Sequence, residues 1–231
     1  GVTSIGDHAF SNCTLLQKAV VPCTSNFMFS GCTALTDTGQ IIVAEGISKL
    51  PEGFFQGCTG LTVITLPSTV TALGKSAFAG CTSLTDVTLP SAITTMESNV
   101  FENCSGLITI NLSETKTIGE RIFRGCTHLL AADLSDVTEA GDEVFEDCST
   151  LKDVILCDEL KELPQEFFRG CTSLESVDLP PHLTEIGINC FRNSGLNFIT
   201  IPGTFTHIGR HAFLNAGQYM TLDLRNTDYH P

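Results

Sequence analysis

Residues 70–92, VTALGKSAFAGCTSLTDVTLPSA, decide the fold, because the chain repeats their pattern from end to end. The centre of the pattern reads FFQGCTGLTVITLP at residues 54–67 and AFAGCTSLTDVTLP at residues 77–90. A phenylalanine precedes a cysteine by three residues in eight pairs: Phe10/Cys13, Phe29/Cys32, Phe55/Cys58, Phe78/Cys81, Phe101/Cys104, Phe123/Cys126, Phe145/Cys148 and Phe168/Cys171. Two degenerate copies follow at Phe191/Ser194 and Phe213/Ala216. From Cys58 onward the spacing is 22 or 23 residues, which indicates a repeat protein.

Each unit divides into two segments with different periods. Val87 and Leu89 alternate with polar residues, which predicts a short strand over roughly 86–89. Pro90 ends this strand, because proline cannot donate a ladder hydrogen bond. A second set of apolar residues is spaced i, i+4, i+5, i+8, which predicts one face of a short helical segment. Its members are Leu73, Ala77, Phe78 and Cys81.

A unit of this size cannot bury its own apolar face, whereas stacked units can form a continuous core. The sequence therefore predicts an α/β solenoid of about ten units of 22–23 residues, with the phenylalanines in one column. We expect a curved, right-handed array with a parallel β-sheet on its concave face and short helical segments and turns elsewhere. Residues 1–231 are expected to form a single domain, with irregular units around 23–46 and 191–204.

The unit LTxIGxxAFxxCxxLxxVxLP resembles the BspA-like leucine-rich repeat family. It reads VTSIGDHAFSNCTLL at the start of the chain and LTEIGINCFRNSGL near its end, and the resemblance covers essentially the whole chain. The chain departs from the pattern at the shortened junction 23–29, at the insertion 38–45 and in the last two units, which lack the cysteine. The resemblance implies a leucine-rich repeat solenoid, displayed on or secreted from a microbial cell, that binds host or matrix proteins.

Composition excludes several classes of partner. The chain has 231 residues, a net charge of −14 and a pI near 4.6, which disfavours nucleic acid and anionic membrane surfaces. No stretch approaches eighteen apolar residues, so no membrane insertion of this segment is expected. The chain opens within a repeat and shows no signal peptide, so we expect flanking sequence in a longer or processed protein.

The cysteines could serve metal binding, disulfides, catalysis or packing. The chain has eleven, of which Cys23, Cys157 and Cys190 stand apart from the repeated position. One cysteine per repeat forms a line and offers no C-x₂₋₄-C pair for a metal. Parallel thiols on adjacent turns would also miss the strict geometry of a disulfide. Replacement by Ser194 and Ala216 in the same position favours packing, because a ligand would not be exchanged for alanine.

No catalytic motif accompanies the repeat. The chain has no nucleophile elbow, no phosphate-binding loop and no dinucleotide-binding glycine pattern. His207 and His211 are spaced i, i+4, as two zinc ligands on a helix would be, but the HExxH pattern is absent, which favours a solvated surface pair. We therefore predict no enzyme activity, no cofactor and no metal.

The outward positions of the predicted strands give a candidate partner surface. One column comprises Val63, Asp86, Thr109, Ala131, Asp153, Ser176, Phe198 and Thr221. The other column comprises Thr65, Thr88, Asn111, Asp133, Ile155, Asp178, Thr200 and Asp223. Exposed Phe198 and Ile155 among carboxylates are typical of a contact surface, although Phe198 could instead fold into its irregular unit. The acid-rich stretch 133–185 is either a solvated surface or a docking surface for a cationic partner.

Two functions follow from these observations. The first is a non-enzymatic binding module for protein–protein or adhesion-type recognition through the concave strand face, with a host or matrix protein or a glycan as partner. The second is a rigid spacer or stalk within a larger surface protein. Bare terminal repeats also favour self-association, since an uncovered edge can pair with another chain.

Overall fold

The structure of the protein is a computed structural model that describes residues 2–43, 47–217 and 221–223. Six residues of these ranges are described by their backbone alone. They are Gln40, Ile42, Val43, Asp86, Leu222 and Asp223.

The chain forms two sets of parallel strands. The strands of the first set, which we call ladder one, lie at the start of each repeat. Its strands are β3 (Lys49–Leu50), β4 (Ala72–Leu73), β6 (Thr95–Met96), β8 (Thr117–Ile118), β10 (Glu139–Ala140), β12 (Glu162–Leu163), β13 (Glu185–Ile186) and β15 (His207–Ile208). They form a five-stranded sheet in the order β10-β8-β6-β4-β3 and a three-stranded sheet in the order β12-β13-β15. Sequence analysis missed this ladder, because two-residue strands are too short to show alternation.

The second set, ladder two, contains most of the strands that the sequence predicts, although the segments predicted at 63–65 and 176–178 form no strand. Its strands are β1 (Ala19–Val21), β2 (Ile41–Val43), β5 (Asp86–Val87), β7 (Thr109–Asn111), β9 (Ala131–Leu134), β11 (Asp153–Leu156), β14 (Phe198–Thr200) and β16 (Thr221–Asp223). β5, β7, β9 and β11 pair in sequence order, while β1 pairs with β2 and β14 pairs with β16. The insertion at 38–45 thus supplies β2, the partner of β1.

The predicted helical segment at 73–81 is wrong. Residues 75–80 form turns, and the only helical element in the described ranges is the 3₁₀ turn Thr38–Gln40. The backbone N–H of Phe78 donates to the carbonyl of Val100 in the next repeat at 3.0 Å, not to a carbonyl four residues back. Positive φ angles at Ser76 (56°) and Gly80 (72°) interrupt the helical path on both sides of Phe78. The apolar spacing alone could not reveal this, because it fits a helix equally well.

These segments, which we call the phenylalanine turns, run from two residues before each repeated phenylalanine to three residues after it. The residue two positions after the phenylalanine has a positive φ in every repeat, with values such as 57° at Asn103 and 71° at Gly125. Glycine and asparagine tolerate this conformation best, which explains why one of them usually precedes the cysteine.

The core is a column of stacked aromatic rings. Phe78, Phe101 and Phe123 are fully buried, and successive ring centroids lie 5.6 and 5.8 Å apart with interplanar angles of 8° and 4°. Similar ring contacts continue from Phe10 to Phe213. The predicted phenylalanine column is therefore present.

The strands confirm a parallel-strand solenoid but not the predicted number of units. Within the described ranges they form five sheets of two to five strands, so no continuous ladder establishes about ten units. The curvature, the right-handed form, the concave placement of the sheet and the extent of a single domain stay predictions.

Candidate binding face

The exposed side of ladder two aligns the predicted columns of outward residues. Asp86 pairs with Thr109, Thr109 with Ala131, and Ala131 with Asp153. The second column is aligned in the same way, from Asn111 through Asp133 to Ile155 and, farther along, from Thr200 to Asp223. We call these two columns the strand face.

Most described side chains of the strand face are open to solvent. Thr109, Asn111 and Asp153 are exposed, Ile155 is 57% exposed, and Asp133 is half-buried. The side chains of Asp86 and Asp223 lie outside the described side chains, although their backbones lie in the ladder.

Phe198 points outward from the face. Its side chain is 49% exposed, while the next residue on the strand, Ile199, is 1% exposed. The alternative in which Phe198 folds into the irregular unit does not occur. Every other phenylalanine of the chain is buried or half-buried, so Phe198 is the exception.

Ser176 and Asp178 belong to no strand, but they lie on the same surface. Both are exposed, and together with Phe198, Thr200 and Pro202 they line a shallow depression of about 230 Å³. Val177 and Leu179 also line this depression. Two sequence-predicted residues without a regular strand thus still meet Phe198.

Two carboxylates of the strand face have no partner among the residues that the structure describes. Asp153 and Asp178 accept no hydrogen bond and form no ion pair within the described part of the chain. Asp133 differs, because its Oδ1 accepts a hydrogen bond from the Ser135 backbone N–H at 3.0 Å. Asn111 in the same column makes the equivalent bond to Ser113 at 2.7 Å, so an amide can replace this aspartate without losing the turn.

The phenylalanine turns carry a paired charge network. Arg121 donates from Nε and Nη2 to both carboxylate oxygens of Glu143, at 2.6 and 2.7 Å. Arg124 donates from Nε to Glu146 at 2.6 Å, and Arg169 also contacts Glu146. Sequence analysis missed this network, although the residue that follows the repeated phenylalanine alternates in sign from Glu102 to Arg169.

Burial and charge shift the pKa of the two glutamates in opposite directions. Burial of Glu146, with a contribution from its hydrogen bond to Glu143, raises the pKa of its carboxyl above the ordinary value. The Arg121 guanidinium lowers the pKa of the Glu143 carboxyl. Glu146 is therefore the carboxyl that Arg124 and Arg169 must stabilise in its charged form.

Glu143, Glu146 and Glu166 place one oxygen each within 4.8 Å of one another, a spacing that could hold a metal ion. All three carboxylates already contact arginines, since Arg169 bridges Glu146 and Glu166, the latter at 3.0 Å. An arginine-neutralised cluster of this kind is better explained as a structural ion-pair network.

Seven of the eight cysteines at the repeated position are buried packing residues, whereas Cys13, in the first repeat, is exposed. Cys104 is fully buried, and its Sγ–H donates to the carbonyl of Phe78 at 3.2 Å. Equivalent bonds join Cys58 to Phe29 and Cys126 to Phe101. All eleven cysteines are free thiols. Burial raises the pKa of Cys58 and Cys104 to about 12, which opposes formation of a reactive thiolate.

The cysteines outside the repeated position differ in exposure. Cys157 and Cys190 are buried, and Cys23 is half-buried. The histidine pair does not lie on a helix, because His207 is in β15 and His211 is in a turn with a φ of 59°. Both histidines are exposed.

The fold defines the protein as a parallel-strand solenoid built from repeats. The family model described as "BspA type Leucine rich repeat region" matches in six copies, over residues 1–108, 24–131 and 107–219. The chain belongs to the BspA-type leucine-rich repeat family. This confirms the resemblance that the sequence motif suggested.

Three solved structures illustrate the similarity. A leucine-rich repeat protein of T. pallidum is 32% identical, with a TM-score of 0.55, over 59% of this chain and 65% of that chain. One from Eubacterium ventriosum is 21% identical, with a TM-score of 0.56, over 78% of this chain and 59% of that chain. The pneumococcal vaccine antigen PcpA is 20% identical, with a TM-score of 0.51, over 82% and 60%.

The chain therefore spans less than two thirds of the length of each of these three proteins. The last two likenesses show the fold alone. No curated protein matches the chain. Among the described residues, no helix has the length and apolar character needed to cross a bilayer.

Proposed function

We propose that the protein is a non-enzymatic binding module that recognises a macromolecular partner through its strand face. One observation carries this proposal: Phe198 and Ile155 are 49% and 57% exposed on the face that also holds the unpaired Asp153 and Asp178. Large apolar side chains beside charges are the usual anchors of a protein interface.

The partner is a protein, such as a host or matrix protein, or a glycan, and the recognition is of the adhesion type. The shallow depressions of the strand face favour a macromolecule over a small metabolite. The depression beside Phe198 holds about 230 Å³, below the roughly 300–1,000 Å³ of small-molecule sites. Two others, beside Asn111 and beside Ile155, hold about 340 and 480 Å³, but most residues that line them are polar, whereas small-molecule sites are mostly apolar. Net charge −14 further disfavours nucleic acid.

A cell-surface or secreted location fits this function. Membership of the BspA-type family supports it, as does the fold shared with PcpA, which is a pneumococcal vaccine antigen. Antibody labelling of intact source cells, with lysed cells as the reference, tests the location. Labelling that requires lysis would contradict it.

A combined array of peptides and glycans tests the binding role. The labelled protein is compared with the triple variant Asp133→Asn, Asp153→Asn, Asp178→Asn, with Glu162→Gln as control, because Glu162 is exposed on ladder one. If the strand face binds the partner, the unaltered protein and the Glu162→Gln control should bind array spots that the triple variant does not bind. Spots that do not distinguish the three proteins would refute recognition through this face.

The rigid spacer remains the alternative function, and the continuous core favours it. The stacked rings and the hydrogen bonds between successive phenylalanine turns, such as Gly80 N–H to Glu102 O at 2.7 Å, link each turn to the next. A spacer would tolerate the triple variant in its parent protein, whereas shortening the array by one repeat would impair the parent.

A further inference from the structure

We infer that the strand face takes a cationic polypeptide segment and seats one of its bulky apolar side chains beside Phe198. This inference rests on the proposed binding function and names its partner class. Three features of the face support it: the size of the depression, the distribution of charge and the spacing of the exposed apolar residues.

The depression beside Phe198 has the size of a site for one side chain. Its volume is about 230 Å³, and its lining combines the exposed Phe198 with Val177 and Leu179. Ser176 and Asp178 also line it and offer polar atoms to the backbone or charge of the partner. An apolar anchor with a polar rim is the arrangement found at interface hot spots.

The charge of the face selects a cationic partner. The two columns of the strand face contain five aspartates and neither lysine nor arginine. The arginines of the middle repeats, Arg121, Arg124 and Arg169, pair instead with glutamates of the phenylalanine turns. Asp153 and Asp178 are therefore free to pair with lysine or arginine of a partner, and a sulfated or sialylated glycan would be repelled.

The aliphatic residues of the face favour a polypeptide over a neutral glycan. In the two columns of the strand face, Val63 is 48% exposed and Ile155 is 57% exposed. Aliphatic side chains cannot hydrogen-bond to sugar hydroxyls, whereas they pack well against apolar amino acids.

The positions of Ile155 and Phe198 set the length of the bound segment. They lie two turns apart and two positions apart along the strand, which corresponds to roughly 12 Å at ordinary strand spacings. An extended chain covers this distance in about four residues. The partner segment should therefore carry two bulky apolar side chains about four residues apart, with lysine or arginine nearby.

A phage-displayed library of random twelve-residue peptides, panned on the whole chain, tests the inference. We expect enrichment of peptides that combine two or more basic residues with two bulky apolar residues at this spacing. An enriched peptide, made synthetically, should bind about tenfold more weakly to Phe198→Ser and to Asp153→Asn/Asp178→Asn. Raising the salt concentration from about 50 mM to about 500 mM should weaken binding of the peptide to the unaltered protein.

Two variants on other surfaces serve as matched controls. Ile188→Ser removes an apolar side chain that is 43% exposed between β13 and the next phenylalanine turn, and Glu162→Gln removes an exposed carboxylate on ladder one. Both should bind the peptide as the unaltered protein does. Enriched peptides that are acidic or neutral, or that bind Phe198→Ser as tightly as the unaltered protein, would overturn the inference.

A glycan array separates failure of this inference from failure of the proposed function. If no peptide is enriched while neutral oligosaccharides bind the protein and lose binding in the triple aspartate variant, the partner class is wrong and the binding role stands. If neither peptides nor glycans are retained, both proposals fail.

Discussion

The phenylalanine turns and the strand face carry charge in opposite ways. In the turns, Glu143 and Glu146 are paired with arginines, and the rings behind them are fully buried. On the strand face, Asp153 and Asp178 have no partner within the described residues, and Phe198 is 49% exposed. The difference indicates that the turns stabilise the fold, whereas we expect the side chains of the strand face to contribute little to stability. Changes in the turns should therefore alter stability more than equivalent changes on the strand face.

The largest effect should appear on raising the pH. Burial raises the pKa of Cys58 and Cys104 to about 12, so both thiols stay protonated in the folded state above the unfolded value of about 8.5. The folded state then holds more protons than the unfolded state, and stability falls as pH rises from about 8.5 to 12. Each such thiol should remove about 1.4 kcal/mol of unfolding free energy per pH unit.

Urea unfolding at intervals between pH 8 and 11 measures this loss. The double variant Cys58→Ala/Cys104→Ala should show a shallower pH dependence, while Cys13→Ser, a change at an exposed thiol, should leave it as it was. An unchanged slope in the double variant would show that these thiols are not buried as described.

The two classes of phenylalanine provide the next test. Phe101→Ala empties a fully buried site in the ring column and should lower the unfolding free energy by about 3–5 kcal/mol. Phe198→Ala removes a half-exposed ring and should cost less than about 1 kcal/mol. Denaturant unfolding of both variants measures the difference, and equal losses would contradict the assignment of the core to the turns.

Removing one carboxylate from each region should give a smaller difference in unfolding free energy. Glu146→Ala leaves Arg124 and Arg169 without their shared acceptor and should cost about 2 kcal/mol. Asp153→Ala should change stability by less than about 0.5 kcal/mol. Because burial raises the pKa of Glu146, the neutral Glu146→Gln should lose less than Glu146→Ala. Thermal unfolding of the variants measures these losses of stability. A larger loss for Asp153→Ala than for Glu146→Ala would contradict the comparison of the two regions.

The smallest effect concerns one irregular position of the cysteine column. Ser194 is 4% exposed, and its hydroxyl has no hydrogen-bond partner among the described residues. Ser194→Cys replaces it with the residue found at this position in eight repeats and should raise stability by about 1 kcal/mol. Cys104→Ser should lower it, and a stabilising Cys104→Ser would argue against the packing role of the thiols.

How much of this could be predicted from the sequence depended on the length of each pattern. The phenylalanine column followed from a spacing repeated over the whole chain, and the register from Asn111 to Ile155 followed from period-two alternation. The turn at 75–80 could not be told from a helix, because the distinction lies in hydrogen bonds between repeats and in positive φ at Ser76 and Gly80. Neither feature changes the spacing of the apolar residues in the sequence.

The candidate site was predicted in position but not in its surroundings. The sequence indicated that Phe198 would lie beside carboxylates. The pairing of Arg121, Arg124 and Arg169 with glutamates could be seen only in the structure. Acid-rich composition in residues 133–185 cannot separate paired from unpaired carboxylates, because adjacent repeats supply the partners from 22 or 23 residues away.

The most direct test measures stability and binding on one protein, the triple variant Asp133→Asn, Asp153→Asn, Asp178→Asn. Its urea midpoint should stay within about 0.5 kcal/mol of the unaltered chain, because Asn111 shows that an amide preserves the turn at position 133. It should no longer bind the peptide or glycan spots that the unaltered protein binds. A destabilised variant, or one that keeps every spot, would contradict the division between a stabilising turn side and a binding strand face.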